Sequence, residues 1–318
     1  MNEAIEYVLG VVVIPAVVAA VVALPCAFNP LRRREALVDA GLAAALALAF
    51  LLSFVSALDW RAVARQVVTI EGDDAPFERW HRLGLVAAAL VPGAVLVSVR
   101  RWRRPAPLAG LFTVSAAIAA AIATAVFVQF PGSSPSIQVA QGVLVLASVL
   151  AWTVAGQAVL WSAWSVFGAL AALADLGGFA SLAVMCGAMS VCAFLLASLE
   201  AVAGRRATDA TREPIHARGA LSLVLGVMGA LIARCGMAHD TLGVSPALWT
   251  AAALLPLGGM VFAKQFRATE RRALRTFWRW IGTALLALAL LGSAAALQGG
   301  GGSSDEGGGD DLSDMYGG

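Results

Sequence analysis

The stretch GALIARCGMAHD, Gly229 to Asp240, closes a long apolar run and sets an arginine, a cysteine, a methionine, a histidine and an aspartate within seven residues. In a water-soluble protein such a cluster reads as a ligand set. At the end of a membrane span it reads as an arginine snorkelling toward headgroups, followed by an interfacial turn. The rest of the chain decides between the two. Of its 318 residues 60% are hydrophobic and only 13% are charged, and the mean hydropathy is +0.82. Such a composition excludes a water-soluble globule and predicts an all-α, polytopic transmembrane helix bundle.

Apolar runs long enough to cross about 30 Å of hydrocarbon recur along the whole chain. Candidate spans are 7–28, 38–58, 83–99, 107–130, 137–155, 157–174, 177–200, 219–236, 246–263 and 280–297. The first follows two acids, Glu3 and Glu6, without a basic leader or a small-residue cleavage site, so it is expected to be a retained span.

Charge sets the threading. Arg32, Arg33 and Arg34 lie between spans one and two, and Arg100, Arg101, Arg103 and Arg104 between three and four. Arg205, Arg206, Arg212 and Arg218 follow span seven, and Lys264, Arg267, Arg271, Arg272, Arg275 and Arg279 follow span nine. With ten spans these clusters share one side, leaving Arg61, Arg65, Arg79, Arg82 and Arg234 opposite. The positive-inside rule then expects both termini outside, in the periplasm of a bacterial inner membrane. Trp60, Trp80 and Trp249 are expected at outer boundaries and Trp102, Trp278 and Trp280 at inner ones, as an aromatic belt. Between Ile137 and Glu200 there is one charge, Asp175, before the last residue. That segment must cross an odd number of times, and its length suits three; a re-entrant segment around Gln157 is the rival. Asp175, in the outer turn, is placed to cap the following helix.

The bundle is expected over 1–298, with an outer loop at 59–82 and basic inner loops at 203–218 and 264–279. In the outer loop DWRAVARQVV places Trp60, Val63, Ala64, Val67 and Val68 on one helical face, the pattern of a short helix lying along the surface. The Gly/Asp-rich tail, 299–318, has nothing to bury and five mutually repelling acids, so disorder is expected there. The body without that tail is more basic than the whole chain's net charge of +2, which suits anionic inner-leaflet lipid and implies no nucleic acid. Ala87 to Pro92 (AAALVP) and Ala251 to Pro256 (AAALLP) hint at a duplication pairing spans one to four with seven to ten.

Each candidate site has a plain structural alternative. Arg234 and Asp240 read as an interfacial pair sharing charge, with Arg234 as a substrate-facing cation the sharper alternative. Cys235, Met237 and His239 stand at alternate positions and would converge on a soft metal only in an extended loop. His81 and His239 flank spans on the outer side, whereas a haem needs histidines facing each other from within spans. Cys186 and Cys192 point to different faces and read as packing residues. Asp39 lies one turn inside span two near the arginines, and Glu200 ends span seven. Neither acid is at the midplane, where an ion-coupled carrier usually keeps one. Polarity there rests on Gln157, Ser162, Ser165 and Ser190, which hydrogen-bond between helices as readily as they bind a ligand. Arg234, Asp240, His239, Gln157, Asp175 and Asp39 are therefore the candidate substrate- or partner-facing positions, with no catalytic residue, metal or cofactor implied.

The number of spans and the chain length resemble the drug/metabolite transporter superfamily in size only, and outside termini contradict that family's usual threading. The loop acids Glu71, Asp73, Asp74 and Glu78 resemble those of membrane glycosyltransferases using lipid-linked sugars over two residues, without that family's size or soluble domain. Three functions follow in order. A permease or carrier for a small neutral or amphipathic molecule would use the kinks at Pro15, Pro92 and Pro256. A non-catalytic subunit or scaffold of a membrane complex would dock other membrane subunits through its interfacial helix and tail. An enzyme acting on a lipid-linked substrate at the outer face comes last.

Overall fold

The structure, a computed structural model, describes residues 3–28, 35–57, 79–102, 106–130, 133–155, 158–205, 219–265 and 272–299. Helix α1 joins Glu3–Val8 to Ile14–Phe28 through a π-helical turn at Leu9–Val13. Then follow α2 (Glu35–Ala57), α3 (Arg82–Trp102, entered through a 3-10 turn at Arg79–His81), α4 (Ala106–Phe127), α5 (Pro135–Ala155) and α6 (Val159–Leu176). The remaining helices are α7 (Ala180–Arg205), α8 (Gly219–His239), α9 (Pro246–Gln265) and α10 (Arg272–Gly299). Among the described residues there is no strand. Nine helices among the described residues are long and apolar enough to cross a membrane, so the chain is a multi-pass membrane protein. The expected ninth span is the short one: the apolar part of α9 covers only Pro246–Phe262.

Alanine- and leucine-rich runs favour helix, and in hydrocarbon only a helix bonds every backbone group within its own segment. Pro135 and Pro246 stand first in α5 and α9, where a missing N–H costs no hydrogen bond. Pro15 follows the π turn, in which the Ile14 N–H reaches the carbonyl of Leu9, so the backbone absorbs the proline without ending the helix. Helix α6 stops at Gly178, whose φ of +76° a side chain would resist. There the N–H of Phe179 bonds Ala174 O and that of Gly178 bonds Asp175 O, a Schellman closure.

Helix α8 is the axis of the bundle. Every residue from Gly219 to Ala233 is buried, enclosed by α2, α3, α4, α5, α6 and α9. Glycine permits this closeness. A Cβ on Gly226 would collide with the Val149 backbone of α5, and one on Gly236 with the Trp249 ring of α9. Helix α7 closes the ring by packing on α6 and α2; α1 rests in the notch between α2 and α7, and α10 in that between α6 and α9.

Contacts between helix ends fix the alternation of direction. Gln298 at the end of α10 donates to Leu176 O at the end of α6, and Thr241 after α8 donates to Gly177 O. At the opposite end Asp39 of α2 meets the start of α8, and Arg279 of α10 donates to Ala155 O, the last residue of α5. Helices α5, α6 and α7 therefore pass through the bundle three times, as the length of that segment implies. The suggested duplication finds no counterpart in the packing: α1 lies along α2, whereas its would-be equivalent α7 lies on α6, α2 and α1, and α8 is central where α2 is in the ring. The surface helix, residues 58–78 of the outer loop, 206–218 and 266–271 of the basic inner loops and 300–318 of the tail fall outside the described residues, while the rest of the loop expected at 264–279 is helical, in the end of α9 and the start of α10.

Candidate functional site

The opening stretch is helical to His239. Alternate positions on a helix diverge by about 200°, so Cys235, Met237 and His239 do not converge and the soft-metal reading falls. Among the described residues no group of three or more His, Cys, Asp or Glu side chains could hold a metal ion.

Arg234 lies five residues before the end of α8. Its Nη1 donates to Met237 Sδ at 3.2 Å, and its Nε is buried without a protein acceptor. The expected partnership with Asp240 is not formed. Asp240 Oδ1 instead accepts the N–H groups of Leu242 and Gly243, both at 3.0 Å, tying the turn in which Gly243 takes a φ of +79°. Asp240 is thus a turn-forming residue. Asp175 is corrected as well: it is exposed in the last turn of α6, and among the described residues its carboxylate caps nothing, because backbone bonds and Gly178 already close the turn.

The same end of the bundle gathers aromatic rings from five places in the chain. Trp80 packs on Phe54 at 5.9 Å, on His81 at 4.2 Å and on Phe179 at 5.4 Å between centroids. Phe179 continues to His239 at 5.4 Å, and His239 to Phe130 at 6.5 Å. His81 and His239 are thus joined through Trp80 and Phe179, with rings between them rather than facing each other as haem ligands would. Beside them Arg82 donates to Phe127 O at 2.7 Å and lies over the Phe127 ring, holding the start of α3 to the end of α4. The sequence placed both histidines outside and at span ends. It carried no signal for Phe54, Phe130 and Phe179, which resemble any other lipid-facing aromatic.

At the opposite end Asp39 is buried, and its two carboxylate oxygens accept the N–H groups of Ala220 and Leu221 at 2.9 and 3.2 Å. It caps the first turn of α8 from another helix, opposing the positive end of the helix dipole. Span-end position made it a candidate; that it serves a helix 181 residues away is visible only in three dimensions. Trp161, Trp164, Phe194 and Trp280 pack together here, Trp164 stacking on Trp280 at 6.0 Å. Trp249 does not join a belt: it is fully buried against Gly236, since a glycine on α8 opens a slot for an indole.

Three interior polar side chains join helices. Ser148 of α5 donates to Ala253 O of α9, in the stretch loosened by Pro256, and Ser190 of α7 donates to Trp164 O of α6. Gln141 of α5 donates through Nε2 to Thr124 O and Val128 O at 2.9 Å each and secures the end of α4. Ser162 is buried and Ser165 bonds within its own helix. Gln157 lies outside the described residues, as do Glu71, Asp73, Asp74 and Glu78. No family model, curated protein or solved structure matches this chain.

Proposed function

We propose that the protein is a non-catalytic structural subunit of a membrane assembly, a helical scaffold that holds other membrane subunits. The observation that carries this reading is the enclosure of α8. A helix buried from Gly219 to Ala233, seated on the Val149 backbone through Gly226 and on Trp249 through Gly236, forms a solid axis. The proline-bearing helices that a rocking carrier would use are dispersed: α1 packs on α2 and α7, α3 on α2, α4 and α8, and α9 on α10, α5, α8 and α6. Meanwhile α1, α4 and α10 turn long apolar faces outward, among them Val17, Val21, Ile118, Ile122, Leu285 and Leu288. Such faces meet lipid or other membrane helices. A bacterial inner membrane, with both termini on the periplasmic side and the arginine clusters on anionic inner-leaflet lipid, is the setting this reading adopts.

The second reading, a permease for a small neutral or amphipathic molecule, draws on the π turn beside Pro15 and on the half-buried Arg234. One experiment separates them. The protein is purified in mild detergent through two successive affinity steps, and co-purifying chains are quantified by mass spectrometry. A scaffold brings partner chains at fixed stoichiometry. A monodisperse chain without partners, stabilised by one class of small molecule, overturns the scaffold in favour of the permease.

A further inference from the structure

We infer that Arg234 is the anchoring group of a phosphate-binding site at the His239 end of the bundle. A guanidinium carries five N–H donors and is not deprotonated in proteins, so inside a membrane protein it requires an anion or several strong acceptors. Arg234, half-buried, has neither among the described residues. Its one hydrogen bond goes to the thioether of Met237, a weak acceptor, and its Nε is sealed from solvent without a partner. The nearest acid in sequence, Asp240, has committed Oδ1 to the turn at Leu242 and Gly243.

Position defines the ligand. Arg234 stands about 7 Å below the last residue of α8 at 1.5 Å per residue, a depth from which a guanidinium reaches phosphate-level groups. Gly236 faces α9, and a two-residue step turns Arg234 about 160° from that direction, toward the side of α8 where α2 and α3 pack. Arg82, also at this end, is engaged with the carbonyl and ring of Phe127, so it does not replace Arg234 as the anchor. A planar fork with free donors matches the paired oxygens of a phosphate. The phosphate belongs either to a phospholipid headgroup of the leaflet at this end or to a free phosphate ion. The proposal does not depend on whether the bundle is a scaffold or a permease.

The test uses the full chain in neutral detergent micelles, with melting temperature and retained phospholipid by native mass spectrometry as readouts. Phosphatidylglycerol is added in one arm, inorganic phosphate in a second and phosphate-free neutral lipid in a third. Wild type is expected to gain melting temperature in the first arm, the second or both, and not in the third. A gain from phosphatidylglycerol with none from inorganic phosphate identifies the headgroup; a gain from inorganic phosphate identifies the free ion. Arg234→Gln is expected to lose the response and Arg82→Gln to keep it. Arg234→Lys, which keeps the charge without the fork, is expected to weaken binding about tenfold, the loss of one charge-assisted bond, and serves as the test if Arg234→Gln does not fold. No response in wild type overturns the site. So does an undiminished response in Arg234→Gln, or in Arg234→Lys where that variant is the test.

Discussion

Helices α8 and α4 are of nearly equal length, 21 and 22 residues, and both meet the length and apolarity that spanning a membrane requires. Yet α8 is buried from Gly219 to Ala233, while α4 exposes Leu111, Val114, Ile118, Ile122 and Val126. Hydropathy does not separate the two, because a lipid tail and a neighbouring helix are equally apolar surroundings. What separates them is where glycine lets a neighbour in. A Cβ on Gly226 or Gly236 of α8 would enter another helix's atoms, whereas one on Gly110 of α4 would meet nothing within 4 Å.

Substituting these glycines is the most direct way to break the comparison. Gly226→Val drives a branched side chain into the Val149 backbone and is expected to destabilise by more than about 3 kcal/mol, seen as loss of monodisperse protein on size exclusion. Unchanged yield and melting behaviour would mean that α8 is not the axis. Next in size is Asp39→Ala, which strips the Ala220 and Leu221 amides of their acceptor at the buried start of α8. About 2–3 kcal/mol should be lost in a denaturant titration in mixed micelles.

Gly229→Ala sharpens the contrast by reversing its sign. A Cβ there lies 3.9 Å from Ser148 Oγ and 4.0 Å from Trp152 Nε1, ordinary contact. Gains in helix propensity and buried methyl together should stabilise by about 1 kcal/mol in the same titration. A loss there would show α8 packed as tightly at its middle as at Gly226. The smallest effect belongs to Gly110→Ala in α4, a gain of about 0.5 kcal/mol from helix propensity alone, because the added methyl meets no neighbour within 4 Å. A loss instead would reveal a helix packed on α4 from outside the chain.

Much of the architecture was readable from residues in order. Charge clusters, span lengths and the parity of Ile137 to Glu200 led to ten alternating helices, and ten are present in the described chain, with α9 short of a full apolar span. The candidate site was readable only in outline. Arg234 stood out because a charge in an apolar run is costly, and Asp39 for the same reason. Their partners did not: Asp240 looked like the natural counter-ion of Arg234 from its proximity in sequence, but the turn at Gly243 needed an acceptor and took its carboxylate. The alternate spacing of Cys235, Met237 and His239 mattered only if the helix ended early, and it continues through His239.

Composition and charge order determined by themselves that this chain crosses a membrane many times as helices, because hydrocarbon admits no unbonded backbone and tolerates few charges. Tertiary packing alone decided which helix became the axis, that Asp39 would cap α8, that rings from five places would join His81 to His239, and that Arg234 would be left with a thioether. Each of these depends on the depth and facing of residues far apart in sequence, and apolar periodicity carries no record of which neighbour a face will meet.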